Sequence, residues 1–380
     1  MKEKILINKD GMKTIEDFLQ KKTSRADNDR LINRIFKDKR PDYTEIEISF
    51  FELCNLHCRF CWQDNYNPTG INTIPEKADI AIDYLVKNKE NIMPNIQVHM
   101  LGGELFEDSI DYYDQYFDFI IKIKEHCDIN FPEKPLTFVF LTNMNFQLDS
   151  TLVKLENFLN KLKAHNCEFI LTTSWDPTGR PLAGEITTRF HYNITYFKQY
   201  LSEITFVLTK QTIKKLISRQ TPYLDLLIKE GFRIDYDYYM PTTQVDSLMP
   251  SDRELYNGLS CLLKHYPSID KLKVWAEQER GFVGKMSCAS LNKITILPDG
   301  TITNCRHLNY NQNDFETEIF NESNSDIILK YVSTKECLSC PYFVKCPLSC
   351  FVMSDHKKFT GQRELDECLY RKIFKDQATI

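Results

Sequence analysis

Between residues 44 and 240 the chain alternates short strand-like runs with longer amphipathic ones, and no other feature narrows the possible folds as far. The strand candidates are Thr44 to Phe51, Asn95 to Leu101, Leu136 to Thr142, Cys167 to Thr173, Glu203 to Thr209 and Arg233 to Tyr239. Between the third and fourth, Leu152, Leu155, Phe158, Leu159 and Leu162 recur at helical spacing, and a later helical run ends at Gly231. Six βα units in series predict a parallel sheet with right-handed crossovers, most simply a six-stranded partial barrel in the α/β class. Such barrels collect their functional residues at the C-terminal ends of the strands.

The cysteines fall into groups. Of 13 in the chain, Cys54, Cys58 and Cys61 lie together near the start, and Cys288, Cys305, Cys337, Cys340, Cys346, Cys350 and Cys368 fill the last quarter. The opening residues Met1 to Met12 carry early charge and no apolar run of signal-peptide length, and no stretch is apolar enough to span a membrane. The expected compartment is therefore the cytoplasm, where thiols stay reduced and close cysteine spacings point to metal or redox chemistry. Lys and Arg number 48 against 53 Asp and Glu, a net charge of -5, so no general affinity for nucleic acid or anionic lipid is expected.

The first group reads Cys54-x3-Cys58-x2-Cys61 and begins just after the first strand. Three thiolates on one short loop can hold three corners of a cubane cluster and leave the fourth iron open to a small chelating molecule. The spacing, with aromatic Phe60 before the third cysteine, resembles the signature of the radical S-adenosylmethionine (SAM) superfamily. Read from the residues alone, a zinc site or chance clustering remains the alternative.

Other strand ends carry the same resemblance. Gly102, Gly103 and Glu104 follow the second strand and are similar to the family's Gly-Gly-Glu motif, with Leu105 where a proline usually follows. The resemblance implies that the glycines admit SAM close to the backbone and that Glu104 helps hold its amino group. Thr142-Asn143-Met144 resembles a Thr-Asn-Gly segment, with Met144 in place of glycine. Ser174-Trp175-Asp176 resembles the Ser-x-Asp found where relatives contact the SAM ribose or carboxylate, and Arg189 on the next helix could pair with that carboxylate. For Asn143, Asp176 and Arg189, a role as ordinary turn or surface polar groups stands beside direct contact.

Towards the C-terminus, Lys293 to Asn304 alternates around Pro298-Asp299-Gly300, which predicts a β-hairpin. The surrounding cysteines look like a SPASM domain, an extension that binds two auxiliary 4Fe-4S clusters. In relatives the ligands interleave. Cys337, Cys340, Cys346 and Cys368 would hold the outer cluster, and Cys288, Cys305 and Cys350 the inner one. Cys261 would supply the missing fourth thiolate, or it is a buried apolar cysteine of a helix. Cys127 and Cys167 read as core residues.

The expected layout is an N-terminal extension (1–43), a TIM-like radical SAM partial barrel (44–245), a linker or helical bridge (246–285) and a SPASM domain (286–380). What the resemblance implies is reduction of SAM by the Cys54, Cys58 and Cys61 cluster, release of a 5'-deoxyadenosyl radical, and hydrogen abstraction from a substrate. An external donor such as flavodoxin or ferredoxin would supply electrons. The substrate expected is a peptide or protein side chain. Dehydrogenation or rearrangement of a small polar molecule such as an amino sugar is the other enzymatic reading, and a zinc-stabilised binding module the non-enzymatic one. The stretch before the barrel is too short for a leader-binding winged-helix module, so capture of a leader in cis is not expected. Arg306 after Cys305, where sulfatase-maturing relatives carry an acid, argues against that activity. One of Asp235 and Asp237 on the last strand could contact substrate or act as a base if Tyr236 and Tyr238 face the helices and the aspartates line the interior, and the opposite phase is equally allowed.

Overall fold

The structure is a computed structural model that describes residues 41–61, 74–176, 185–239, 246–272, 293–303, 332, 337–343, 346, 365 and 367–377. The expected strands form with small shifts at their ends: β1 (Tyr43–Ser49), β2 (Asn95–Leu101), β3 (Leu136–Leu141), β4 (Glu168–Ser174), β5 (Leu201–Leu208) and β6 (Ile234–Tyr238). Helices fill the gaps between them: α1 (Ile74–Lys87), α2 (Tyr113–Asn130), α3 (Asp149–Ala164), α4 (Glu185–Tyr196), and the pair α5 (Lys210–Ile217) and α6 (Pro222–Lys229). Then come α7 (Asp252–His265), β7 (Lys293–Ile296), β8 (Ile302–Thr303) and a C-terminal α8 (Leu369–Gln377).

The sheet order is β6-β5-β4-β3-β2-β1-β7-β8. The first six strands are parallel and neighbour one another in chain order. With right-handed crossovers, that order puts every helix on the same face, which is the winding of a partial barrel and not of a doubly wound sheet.

Strand periodicity sorts the side chains. Ile46, Val98, Phe138 and Phe140 lie on the helix side, packed with α3 residues Leu155, Phe158, Leu159 and Leu162 into one buried core. Each such large apolar side chain contributes about 1.5–3 kcal/mol when fully buried. The opposite face is polar. By register it carries Glu45, Glu47 and Ser49 on β1, Gln97 and His99 on β2, and the row Ser174, Thr205 and Asp235 across β4, β5 and β6. This settles the phase of the last strand, because Asp235 and Asp237 share the inner face while Tyr236 packs in the core.

Two helix boundaries follow from local chemistry. Gly231 takes φ 79° just beyond α6, where a left-handed residue ends the helix. Ser251 caps α7 with its hydroxyl on the Glu254 N–H, and Glu254 returns a carboxylate to the Ser251 N–H at 2.8 Å.

The expected hairpin is present. Gly300 has φ 85°, its N–H donates to the Leu297 carbonyl, and β7 pairs antiparallel with β8. Its attachment was not foreseen: β7 lies parallel to β1, with Ile46 opposite Ile294 and Ile48 opposite Ile296. Lys293 then reaches Glu45 at 2.5 Å and Glu47 at 3.3 Å, and buried Lys77 of α1 donates to the Pro298 carbonyl at 2.7 Å. Among the described residues no helix is long and apolar enough to cross a membrane.

Candidate functional site

The segment Phe50 to Cys61 leaves the C-terminal end of β1 and carries Cys54, Cys58 and Cys61, all three partly exposed. A turn in which the Cys61 N–H donates to the Cys58 carbonyl at 2.9 Å closes its far end. Burial pushes the Cys54 thiol up to about 12. Nearby Glu104 adds to the rise, the Leu56 N–H opposes it, and Cys58 and Cys61 add to it in turn. Cys58 and Cys61 are thus both near enough to act on the charge of Cys54.

What holds this loop in place is the turn after β2. A Cβ on Gly103 would sit 1.9 Å from the Leu53 carbonyl oxygen and 2.4 Å from that of Glu52, so only glycine allows the two backbones to touch. The Glu104 N–H donates to the same Leu53 oxygen at 2.8 Å. The Gly-Gly-Glu segment therefore clamps the residue directly before Cys54.

Glu104 is 2% exposed and its carboxylate is engaged. It accepts the Phe106 N–H at 3.0 Å, the Thr142 hydroxyl at 2.7 Å and the Asn143 N–H in a very short contact. These bonds tie the end of β2 to the end of β3. There Met144 adopts φ 53°, the left-handed conformation that glycine would take more easily, with its side chain fully buried. Asn193 of α4 stabilises the turn by donating to the carbonyls of Met144 and Phe146, both at 2.9 Å.

The Asn143 side chain turns to the cysteine loop. Its amide nitrogen donates to Asn55 Oδ1 at 2.7 Å and lies 3.6 Å from the Cys54 sulfur. Asn55 in turn donates to the Asn145 carbonyl at 2.9 Å. Thr142 and Asn145 were read only as part of the Thr-Asn-Gly-like segment, and Asn55 and Asn193 were not singled out from the sequence. The signal for Asn55 was its place directly after Cys54.

Ser174 ends β4, half-buried on the inner face and level with Thr205. Asp176 is buried and accepts the Thr212 hydroxyl at 3.2 Å. Arg189 is drawn to the start of α3: it pairs with Asp149 at 2.8 Å and donates from Nε to the Phe146 carbonyl at 3.3 Å.

On the inner face at β6, Lys271 joins Asp237 at 2.8 Å, Asp235 at 3.3 Å and the Tyr236 carbonyl at 2.6 Å. Burial pulls the Lys271 ammonium down, but Asp237 and Asp235 together hold it above its ordinary value. Burial raises Asp235 to about 6, against the opposing pull of Lys271. Glu203 of β5 is also raised by burial.

Of the C-terminal cysteines, Cys288, Cys305 and Cys350 lie outside the described residues. Cys337, Cys340, Cys346 and Cys368 lie within them, on two segments that share one buried cluster. Tyr342 stacks on Phe374 of α8 with centroids 4.9 Å apart, and Cys368 directly precedes that helix. Cys346 is close enough to Tyr238 of β6 to raise its phenol, after the larger effect of burial. Cys261 sits in α7 and its sulfur lies 3.5 Å from the Leu216 carbonyl. Cys127 and Cys167 are buried, as expected of core residues.

The donor set at the loop fits an iron-sulfur cluster. Among the described residues no three His, Cys, Asp or Glu side chains converge as ligands of one ion. A four-iron cube spreads its corners over a larger body, and thiolates are its usual ligands.

No known family profile matches the chain, and no curated protein matches it in sequence. Similar solved structures include SuiB of Streptococcus suis bound to its precursor peptide SuiA, at 16% identity over 86% of this chain and 76% of that one, TM-score 0.47. SuiB bound to S-adenosylmethionine matches at 16% identity over 92% of this chain and 86% of that one, TM-score 0.46. Methylornithine synthase PylB matches at 14% identity over 78% and 89%, TM-score 0.35. At such identities and scores the function has to be argued from the residues.

Proposed function

We propose that this chain is a radical SAM enzyme that modifies a peptide or protein side chain by hydrogen abstraction. The reading is carried by Cys54-x3-Cys58-x2-Cys61, on a loop that leaves the first strand of a parallel βα sheet and is clamped at Leu53 by Gly103 and Glu104. Cys54, Cys58 and Cys61 are the residues that would hold the cluster. Bound there, a 4Fe-4S cluster with one unliganded iron supplies one-electron reductive cleavage of S-adenosylmethionine, the source of a hydrogen-abstracting radical.

The chain's own part is to orient and to shield. Gly102, Gly103, Glu104, Asn143 and Ser174 at the strand ends are the proposed SAM-side residues, with Gly103 acting through its packing on Leu53. Glu104 reaches SAM only by giving up one of its three donors, and Arg189 only through a rearrangement that frees it from Asp149. The inner face beyond them offers Thr205, Asp235 and Lys271 for a polar substrate group, and Asp235, ionising near 6, suits a base that takes up a proton.

Auxiliary clusters at Cys337, Cys340, Cys346 and Cys368, and at Cys288, Cys305 and Cys350 with or without Cys261, would accept the electron that an oxidised substrate gives up. The peptide assignment rests on the SPASM-like spacing of these cysteines. The polar inner face favours a second reading, in which the substrate is a small polar molecule.

The test is anaerobic reconstitution with iron, sulfide and zinc quantified, followed by reduction in the presence of SAM. The expected products are methionine and 5'-deoxyadenosine, and Cys58→Ala abolishes both. Zinc in place of iron, or 5'-deoxyadenosine from the Cys58→Ala variant, would overturn the proposal. Mass spectrometry against peptides and against amino sugars then separates the two substrate readings.

A further inference from the structure

Asn143 is fixed from every side. Its Oδ1 accepts the Asn145 N–H at 2.7 Å, which identifies that end of the amide as oxygen and leaves the nitrogen towards the loop. The nitrogen then donates to Asn55 Oδ1 at 2.7 Å and to the Cys54 sulfur at 3.6 Å. Its backbone is gripped by Glu104, and the turn that follows is held by Asn193. The Leu56 N–H reaches the same sulfur at 3.4 Å, so Cys54 accepts one backbone and one side-chain donor. The side-chain donor comes from 89 residues away and is rigidly aimed, a larger investment than filling a turn requires.

We propose that Asn143 is a positioning residue that sets the reduction potential of the cluster on this loop by donating its amide N–H to the Cys54 thiolate. The inference rests on the functional reading above and deepens it. One-electron reduction adds negative charge that the cluster shares with its thiolates. An N–H aimed at one of them stabilises the reduced form more than the oxidised form and raises the potential. Losing the donor makes the cluster harder to reduce, by roughly tenfold in the one-electron equilibrium, or about 59 mV.

Asn143→Leu removes the donor at similar size without adding charge and is the deciding variant, while Asn143→Asp keeps an oxygen for the Asn145 N–H but sets a carboxylate beside Cys54, whose charge lowers the potential further. Each reconstituted full-length variant is first assayed for iron, sulfide and its visible spectrum. It is then titrated potentiometrically by electron paramagnetic resonance, following the reduced signal that SAM perturbs. The expected result is parental iron content in both variants with the midpoint moved to lower potential. A midpoint unchanged in Asn143→Leu overturns the inference and leaves the functional reading standing. Failure of both variants to assemble the cluster also overturns it, since Asn143 would then build the loop and not tune it. A parent protein that takes up no iron and sulfide refutes the functional reading itself, and this inference with it.

Discussion

Replacing Gly103 with alanine is the sharpest test of how the cysteine loop is held. The added Cβ would lie 1.9 Å from the Leu53 oxygen and 2.2 Å from its carbonyl carbon, both backbone atoms with no rotamer to change. Relief requires the two chains to part by about 1 Å, judged against the 3.0 Å below which real Cβ contacts essentially do not occur. That movement breaks the 2.8 Å bond from the Glu104 N–H to the same oxygen. Overpacking of this kind costs about 1–3 kcal/mol, and a lost buried hydrogen bond adds about 1–3 kcal/mol. The larger consequence is positional, because Leu53 is bonded directly to Cys54. Gly102→Ala is the matched control. Its Cβ meets the far edge of the Phe51 ring at 2.9 Å, and a ring edge can give way. The assay is iron and sulfide content after reconstitution, beside thermal unfolding and circular dichroism of the apoprotein. Gly103→Ala should keep its secondary structure, melt a few degrees lower and lose the loop's share of iron, with Gly102→Ala close to the parent. Parental iron in Gly103→Ala, or equal damage in the two variants, would refute the clamp.

Three other outcomes are expected. Asp235 ionises near 6 in the fold against 3.8 for the free group, so the folded state holds its proton more tightly. Its stabilising contribution is therefore full below about 3.8 and is lost as pH rises through about 6, on the order of 3 kcal/mol. Urea unfolding should show Asp235→Asn gaining on the parent between pH 4 and pH 8, and a pH-independent difference would contradict this. Met144→Gly relieves the φ of 53° but empties a fully buried site, so a net loss of about 1–3 kcal/mol is expected in the same assay. Phe374→Ala removes the ring stacked on Tyr342 and should lower iron retention by the C-terminal cysteines, with SAM cleavage at the first loop preserved. Equal loss at both places would show that the two regions are not separable in this way.

The strands and helices were legible because their signals are local. The apolar spacing of Leu152 to Leu162 needs only its own helix to have meaning, and Asp299-Gly300 specifies its turn without help. The cysteine spacing was legible for the same reason. What escaped the sequence depends on partners far along the chain. The phase of β6 follows from its register with β5, which its own alternation of Asp and Tyr leaves open. Lys271 joins Asp235 from beyond the last strand of the barrel. Gly103 looked like a ligand-approach glycine, whereas its nearest neighbour is the backbone of Leu53. Glu104 was expected to help hold an amino group, and the three donors from its own turn and from the end of β3 that share its carboxylate could not be read from the motif. Arg189 was open between a contact to the SAM carboxylate and an ordinary surface role, and its partner Asp149 at the start of α3 lies 40 residues away in the chain.

The pairing of β7 with β1 has a cost in time. Lys293 and its partner Glu45 are 248 residues apart, so during synthesis one margin of the sheet must wait until residue 293 of the 380 has been made before its neighbour emerges. Until then the backbone donors and acceptors of β1 on that side are open to any passing strand, and the two glutamates turned inward beside them act as charged guards against a wrong match. A ribosome-bound fragment stopped before residue 293 should consequently aggregate or recruit chaperones, although all six barrel strands have already been made.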